Sequence, residues 1–381
     1  MNIINEEINS DKANSIRFNQ DNSMISIGTE RGYKIFKTYP LSDKHEKKLF
    51  GGISICEMSY RSNYLALIGG GNAPNFPNKK VVIYNDAEDC VESEYKFTIP
   101  VLNVKYKKNL LFIVLEKKIY VFNTENSQNI DSFETIENKG GMIAVNGSPN
   151  KTIMAHPIQF EDKKDQAYVG IKNYKTNKYF PLPVQEEAIS NMTMDYYGLL
   201  LATANDKGTI IRIHGIDDKT LLYECKRGKE KSFINYMSFD TDYKYFGVTS
   251  DRGTIHIWKL NDIIQKNPTR RTYTFNESKK KNETNKNFEN DFVSIIETNN
   301  DTNNKINNSE DKYKVKLIKN YKSETSFAKI KINKPDCIFC FKADNIIIIV
   351  TPDEKYCFSK IEKKGGYLKY FPKDLEKKEE E

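Results

Sequence analysis

Lys226 and Arg227 stand side by side in the element Cys225-Lys226-Arg227-Gly228, and two similar stretches of chain flank them. An arginine offers a planar fork of N–H donors to a phosphate, whereas a lysine is a point charge on a flexible stem. Anion capture is the chemistry such a pair can perform; a merely solvated charged turn is the plainer alternative. The upstream stretch reads Leu200-Leu201-Ala202-Thr203-Ala204-Asn205-Asp206-Lys207-Gly208-Thr209-Ile210-Ile211-Arg212. Its downstream counterpart is Tyr245-Phe246-Gly247-Val248-Thr249-Ser250-Asp251-Arg252-Gly253-Thr254-Ile255-His256-Ile257-Trp258. Gly208 and Gly253 lie 45 residues apart, the period of one four-stranded propeller blade. The two cations therefore fall at a blade junction.

The elements around them are short and apolar. Tyr64-Leu65-Ala66-Leu67-Ile68, Val81-Val82-Ile83-Tyr84, Leu110-Leu111-Phe112-Ile113-Val114 and Ile346-Ile347-Ile348-Ile349-Val350 are typical, with turn residues between such runs and little helical periodicity. Regularly spaced short strands predict an all-β fold, and the repeated strand, Gly turn, strand unit selects a WD40-like β-propeller. At about 45 residues per blade there is room for seven. The expected propeller occupies 10–370, with 261–325 as a long loop in the sixth blade and 371–381 as a charged tail.

Within that loop, eleven of the 33 residues from 276 to 308 are Asn, too little apolar surface to offset ordering. Phe275, Phe288, Phe292, Ile295 and Ile296 interrupt the polar text, and Arg270, Arg271 and Lys279-Lys280-Lys281 stand near its start. Apolar tips beside basic residues suit a loop that dips into a membrane. A low-complexity expansion without a role reads equally well.

Composition narrows the function classes. A formal net charge of +7 permits anionic partners without naming one. The six cysteines sit mostly in apolar text, which predicts buried free thiols in a reducing compartment. Cys337 and Cys340 lack the second pair that a zinc site needs, so no metal is expected. The N-terminus has no secretory signal pattern, and the longest apolar run cannot span a bilayer. No nucleophile elbow, no H-E-x-x-H and no phosphate-cradling loop before a helix occurs, so neither an enzyme nor a cofactor is expected.

At this point the chain resembles the PROPPIN family, the WIPI-type seven-bladed propellers that bind phosphoinositides in autophagy and endosomal traffic. Colinear stretches carry the likeness: Phe18-Asn19-Gln20-Asp21, Gly28-Thr29-Glu30-Arg31-Gly32-Tyr33-Lys34-Ile35, Tyr60 to Gly71, Pro100-Val101-Leu102-Asn103-Val104, Leu115 to Val121 and Gly253-Thr254-Ile255-His256-Ile257. The family signature is Phe-Arg-Arg-Gly, one arginine for each of two head-group pockets. Here Cys225 replaces the phenylalanine, Lys226 the first arginine, and Arg227 is kept. The resemblance implies a first pocket of Lys226, Thr209, Arg212, Asn205 and Lys207, with Gln185 where relatives commonly have histidine. It implies a second of Arg227, Ser250, Thr254, His256 and Arg252, with Gly228 turning the backbone so that the two cations diverge. Ser250, Thr254 and His256 are an even number of residues apart and can share a face. It also implies a partner-docking loop, Gly69 to Lys79, in which Asn75 replaces the usual arginine.

The function so implied is a monomeric, non-enzymatic effector of phosphatidylinositol 3-phosphate, with the 3,5-bisphosphate as a second candidate. It would sit peripherally on cytosolic faces of endosomal, vacuolar or autophagic membranes and recruit autophagy-type proteins, without nucleic acid. A generic WD40-type protein scaffold is the alternative.

Overall fold

A computed structural model describes residues 12–160, 166–260 and 324–374. They form seven sheets, each built on an up-and-down meander of four antiparallel strands. Blades one to five take residues 13–48, 53–96, 103–134, 144–185 and 189–226 in order. Blade six combines residues 234–259 with Ala328–Lys331, and blade seven combines 338–360 with Phe371–Asp374. The molecule is a seven-bladed β-propeller.

The apolar text is continuous because both faces of a blade are covered. In strand Ile346–Val350, Ile347 and Ile349 pack into the seam with blade six, while Ile348 and Val350 pack against blade one. Seven apolar clusters occupy the seven seams in the same way, and together they close the ring. Cys337 and Cys340 follow this alternation and face opposite seams.

The glycines that mark the 45-residue period both hold left-handed backbone, φ +57° at Gly208 and +64° at Gly253. Each closes a tight turn, its N–H donating to Asn205 O and Ser250 O respectively, both at 2.9 Å. A side chain is strained in that conformation, which is why glycine recurs there.

Two boundaries differ from those expected, and a third short strand adds to a blade edge. The seventh blade's outer strand, Phe371–Asp374, runs past residue 370, so the propeller reaches into the expected tail. Residues Glu324–Thr325 are not loop but a short strand laid parallel on the outer edge of blade five, Thr325 opposite Lys226. Gly366–Tyr367 likewise adds to the edge of blade six. Residues 261–323, including Phe275, Phe288, Phe292, Ile295 and Ile296, lie outside the described residues.

Blades one and seven share no strand, so side chains must fasten the ring. Lys34 pairs with Glu354 at 3.0 Å, both largely buried, Lys342 Nζ donates to Asn22 O at 2.7 Å, and Tyr356 donates to Thr38 O at 2.9 Å. Glu354→Gln should destabilise the fold by about 2 kcal/mol, because it removes a carboxylate that the largely buried Lys34 ammonium contacts across the closing seam. Adding Lys34→Met should restore most of the loss. Denaturant titration reads both, and a single-variant cost below about 1 kcal/mol would remove the pair from ring closure.

Candidate functional site

Strand Leu221–Lys226 is the fourth strand of blade five, with Arg212 opposite Glu224, Ile211 opposite Cys225 and Ile210 opposite Lys226. Cys225 and Ile211 pack into the seam with blade six. Lys226 therefore lies on the other face, with Glu224 and Arg212, toward blade four. The next residue alternates back, and Arg227 meets the charges of Asp251 and Arg252 on blade six. Neighbouring cations thus serve opposite seams through strand alternation alone. The role expected for Gly228 is corrected accordingly. Its backbone is not left-handed and a Cβ there would meet nothing within 4 Å.

Arg227 is buried and held by backbone rather than by carboxylates. Nε donates to Gly208 O at 2.6 Å, a terminal nitrogen donates to Glu230 O, and its own N–H continues the ladder to Thr209 O at 2.9 Å. Burial, then the nearby Arg252, works against its charge. On the facing blade, Val248 lies opposite His256 and belongs to the seam with blade five. Ser250 and His256 sit on that same face by alternation. Thr254, half-buried at the start of the strand, shares it.

Two observations single out this seam. Ser250 Oγ is fully buried without a hydrogen-bond partner, a condition that costs about 1–3 kcal/mol when nothing answers the hydroxyl. His256 stacks on Trp258 with centroids 6.0 Å apart and places Nδ1 3.2 Å from Ser326 Oγ. Burial first, then Lys329 and Arg227, pulls its pKa down to about 4, so the ring is neutral at pH 7. Arg252 is exposed and pairs with Glu230.

The first pocket is differently disposed. Arg212 gives Nε to Glu224 at 2.8 Å, one terminal nitrogen to Glu186 at 3.2 Å and the other to Gln185 at 3.4 Å. Lys207 pairs with Glu187, which also accepts from Asn205 at 3.2 Å. Thr209 is half-buried in the turn. Lys226 is exposed and has no described side-chain partner. These carboxylates are invisible from spacing because two of them, Glu186 and Glu187, come from the connection between blades four and five. Lys329 and Ser326 were missed because they follow the insertion, and only the register of Lys329 opposite His256 reveals them.

The loop from Gly69 to Lys79 folds back on Gly52, the residue before the first strand of blade two. Gly52 N–H donates to Ala73 O at 2.7 Å and Asn75 N–H to Gly52 O at 3.0 Å. A Cβ on Gly69 would stand 1.7 Å from Phe76 O, so the loop's path depends on glycine there.

The PROPPIN family profile matches residues 13–282. The chain belongs to the PROPPIN family. Autophagy-related protein 18e of Arabidopsis thaliana is 32% identical over 276 residues, covering 69% of this chain and 70% of the relative. Autophagy-related protein 18 of Yarrowia lipolytica is 28% identical over 277 residues, covering 68% and 69%. Among solved structures, Kluyveromyces lactis Hsv2 superposes with a TM-score of 0.68 at 18% identity, over 96% of this chain and 100% of that one. A complex of KlAtg21 with the coiled coil of AgAtg16 gives 0.67 at 19% identity, over 95% and 99%. At such identities the structures speak for the fold alone. PROPPIN membership implies an autophagy-related, phosphoinositide-binding propeller of a non-enzymatic class. No helix among the described residues is long and apolar enough to cross a membrane.

Proposed function

We propose that this PROPPIN captures phosphatidylinositol 3-phosphate, and secondarily the 3,5-bisphosphate, chiefly in the seam between blades five and six. There Arg227 supplies the charge, Ser250 and Thr254 the hydroxyl donors, and His256 a neutral N–H. Anchored so on cytosolic membrane faces, it recruits autophagy-type proteins. The observation that carries the reading is the orphaned Ser250 hydroxyl, buried on the same face as His256 and turned to the blade that presents Arg227. A phosphate oxygen would answer that hydroxyl.

Vesicle flotation over mono- and bisphosphorylated inositides tests it, with Ser250→Ala as the probe. The variant should melt at or slightly above the parent temperature, since no bond is lost, and should bind the 3-phosphate about fivefold to tenfold more weakly. Lower melting with unchanged binding would make the hydroxyl structural and defeat the reading. Absence of any preference among head groups would favour the protein-scaffold alternative.

The first pocket is proposed as auxiliary. Its guanidinium and Lys207 are occupied by carboxylates, of which Glu186 is largely exposed and easily displaced. Two weak contacts on one rigid rim still reinforce each other through effective concentration. Neutralising the gate with Glu186→Gln and Glu187→Gln should tighten vesicle binding several-fold, about as much as two removed like charges allow. Unchanged affinity would leave Lys226 acting alone.

A further inference from the structure

Beside the seam stands a residue that the head-group reading does not use. Phe233 is 54% exposed at the end of the loop that begins with Lys226 and Arg227. A lone exposed phenylalanine is ordinary on a protein surface. Its mounting is what sets this one apart. Its carbonyl accepts from Asp251 N–H at 3.0 Å, tying the tip to blade six. The preceding residue, Ser232, donates its N–H to Lys207 O at 3.1 Å, tying it to blade five, and its hydroxyl bonds Asp251. Ile234, next in line, is fully buried. The backbone is therefore pinned on both sides while the ring makes no aromatic contact with a described residue.

The surroundings are cationic. From Lys226 to Phe233 the loop carries four cations against one carboxylate, and that carboxylate, Glu230, is paired with Arg252. Lys226, Lys229 and Lys231 are exposed. An apolar ring held rigidly within a ring of lysines fits the boundary between head groups and acyl chains of an anionic bilayer. A protein partner would need a complementary acidic, apolar face of its own, for which nothing in this loop argues.

We infer that Phe233 is a membrane anchor, entering the acyl boundary when the adjacent seam holds its phosphoinositide. The inference rests on the head-group reading above, and the test separates the two. Phe233→Trp in the full chain is mixed with phosphatidylcholine–phosphatidylserine vesicles containing phosphatidylinositol 3-phosphate, with bromine on the phosphatidylcholine acyl chains. The native tryptophan, Trp258, is the chain's one tryptophan and is 1% exposed, so it gives a constant emission that bromine in the bilayer does not reach. The expected result is quenching of the new tryptophan, dependent on the inositide and absent in the parent. Phe233→Ala should weaken flotation on the order of tenfold with an unchanged melting temperature, and Phe233→Leu should retain most of the binding. Flotation without quenching, or an alanine variant that floats like the parent, overturns the anchor and leaves the head-group reading standing. A parent chain that binds no phosphoinositide vesicle removes both.

Discussion

A double variant, Lys226→Thr with Arg227→Thr, is expected to lose vesicle binding by at least about a hundredfold while the seven blades still form. Charge-assisted hydrogen bonds are worth about 1.5–3 kcal/mol each, so losing the cation of both seams compounds. The single variants should separate two kinds of contribution. Lys226 is exposed and has no side-chain partner among the described residues, so Lys226→Thr should leave the melting temperature alone and weaken binding modestly. Arg227 also ties the loop to Gly208 and Glu230, so Arg227→Thr should cost stability of about 1–2 kcal/mol as well as binding. Arg227→Lys tests the fork: charge stays, planar two-pronged donation goes, and binding should recover only in part. Circular dichroism with flotation reads all four. A folded double variant that binds phosphoinositide vesicles like the parent would refute the site.

How much of this was legible beforehand follows from what alternation can and cannot encode. The blade period, the turn glycines and the doubly covered strands were readable because each leaves a local mark: Gly208 and Gly253, or five successive apolar residues from Ile346. The shared face of Ser250 and His256 was readable for the same reason. Partners across seams were not. Glu186 and Glu187 approach Arg212 and Lys207 because the connection between blades four and five passes beside them, and nothing in their spacing says so. Lys329 comes opposite His256 only after the insertion, whose length hides the register. Phe371–Asp374 resembles tail because its mixed text, with a proline, is what an outer edge strand tolerates. Gly228 shows the opposite error. A glycine was credited with a turn that ordinary strand geometry supplies.

Acidification from pH 6.5 to 4 is expected to remove much of the fold's stability through its buried imidazoles. Three of the four histidines are buried, and burial depresses each pKa: His156 to about 4, His214 to about 3 and His256 to about 4. Unfolded, each titrates near 6.5. A depressed folded pKa contributes stability that is complete above the unfolded value and is lost as pH falls toward the folded one. Each imidazole accounts for about 3 kcal/mol over that window, a large part of the 5–15 kcal/mol that holds a domain. Asp195 and Asp240, raised by burial, act in the opposite sense near the acid end and offset part of the loss. Melting followed by calorimetry or fluorescence at successive pH values should show a steep fall in midpoint. His156→Phe should flatten it, since the ring packs between Phe133 and Tyr179, and the Tyr179 hydroxyl that loses Nε2 at 3.1 Å adds only a cost that does not vary over this pH range. A melting temperature that stays level from pH 7 to 4.5 would contradict the buried imidazoles. His256 joins this instability to the site. A bound phosphate favours its protonated form, so phosphoinositide affinity should rise as pH falls, until the propeller itself gives way.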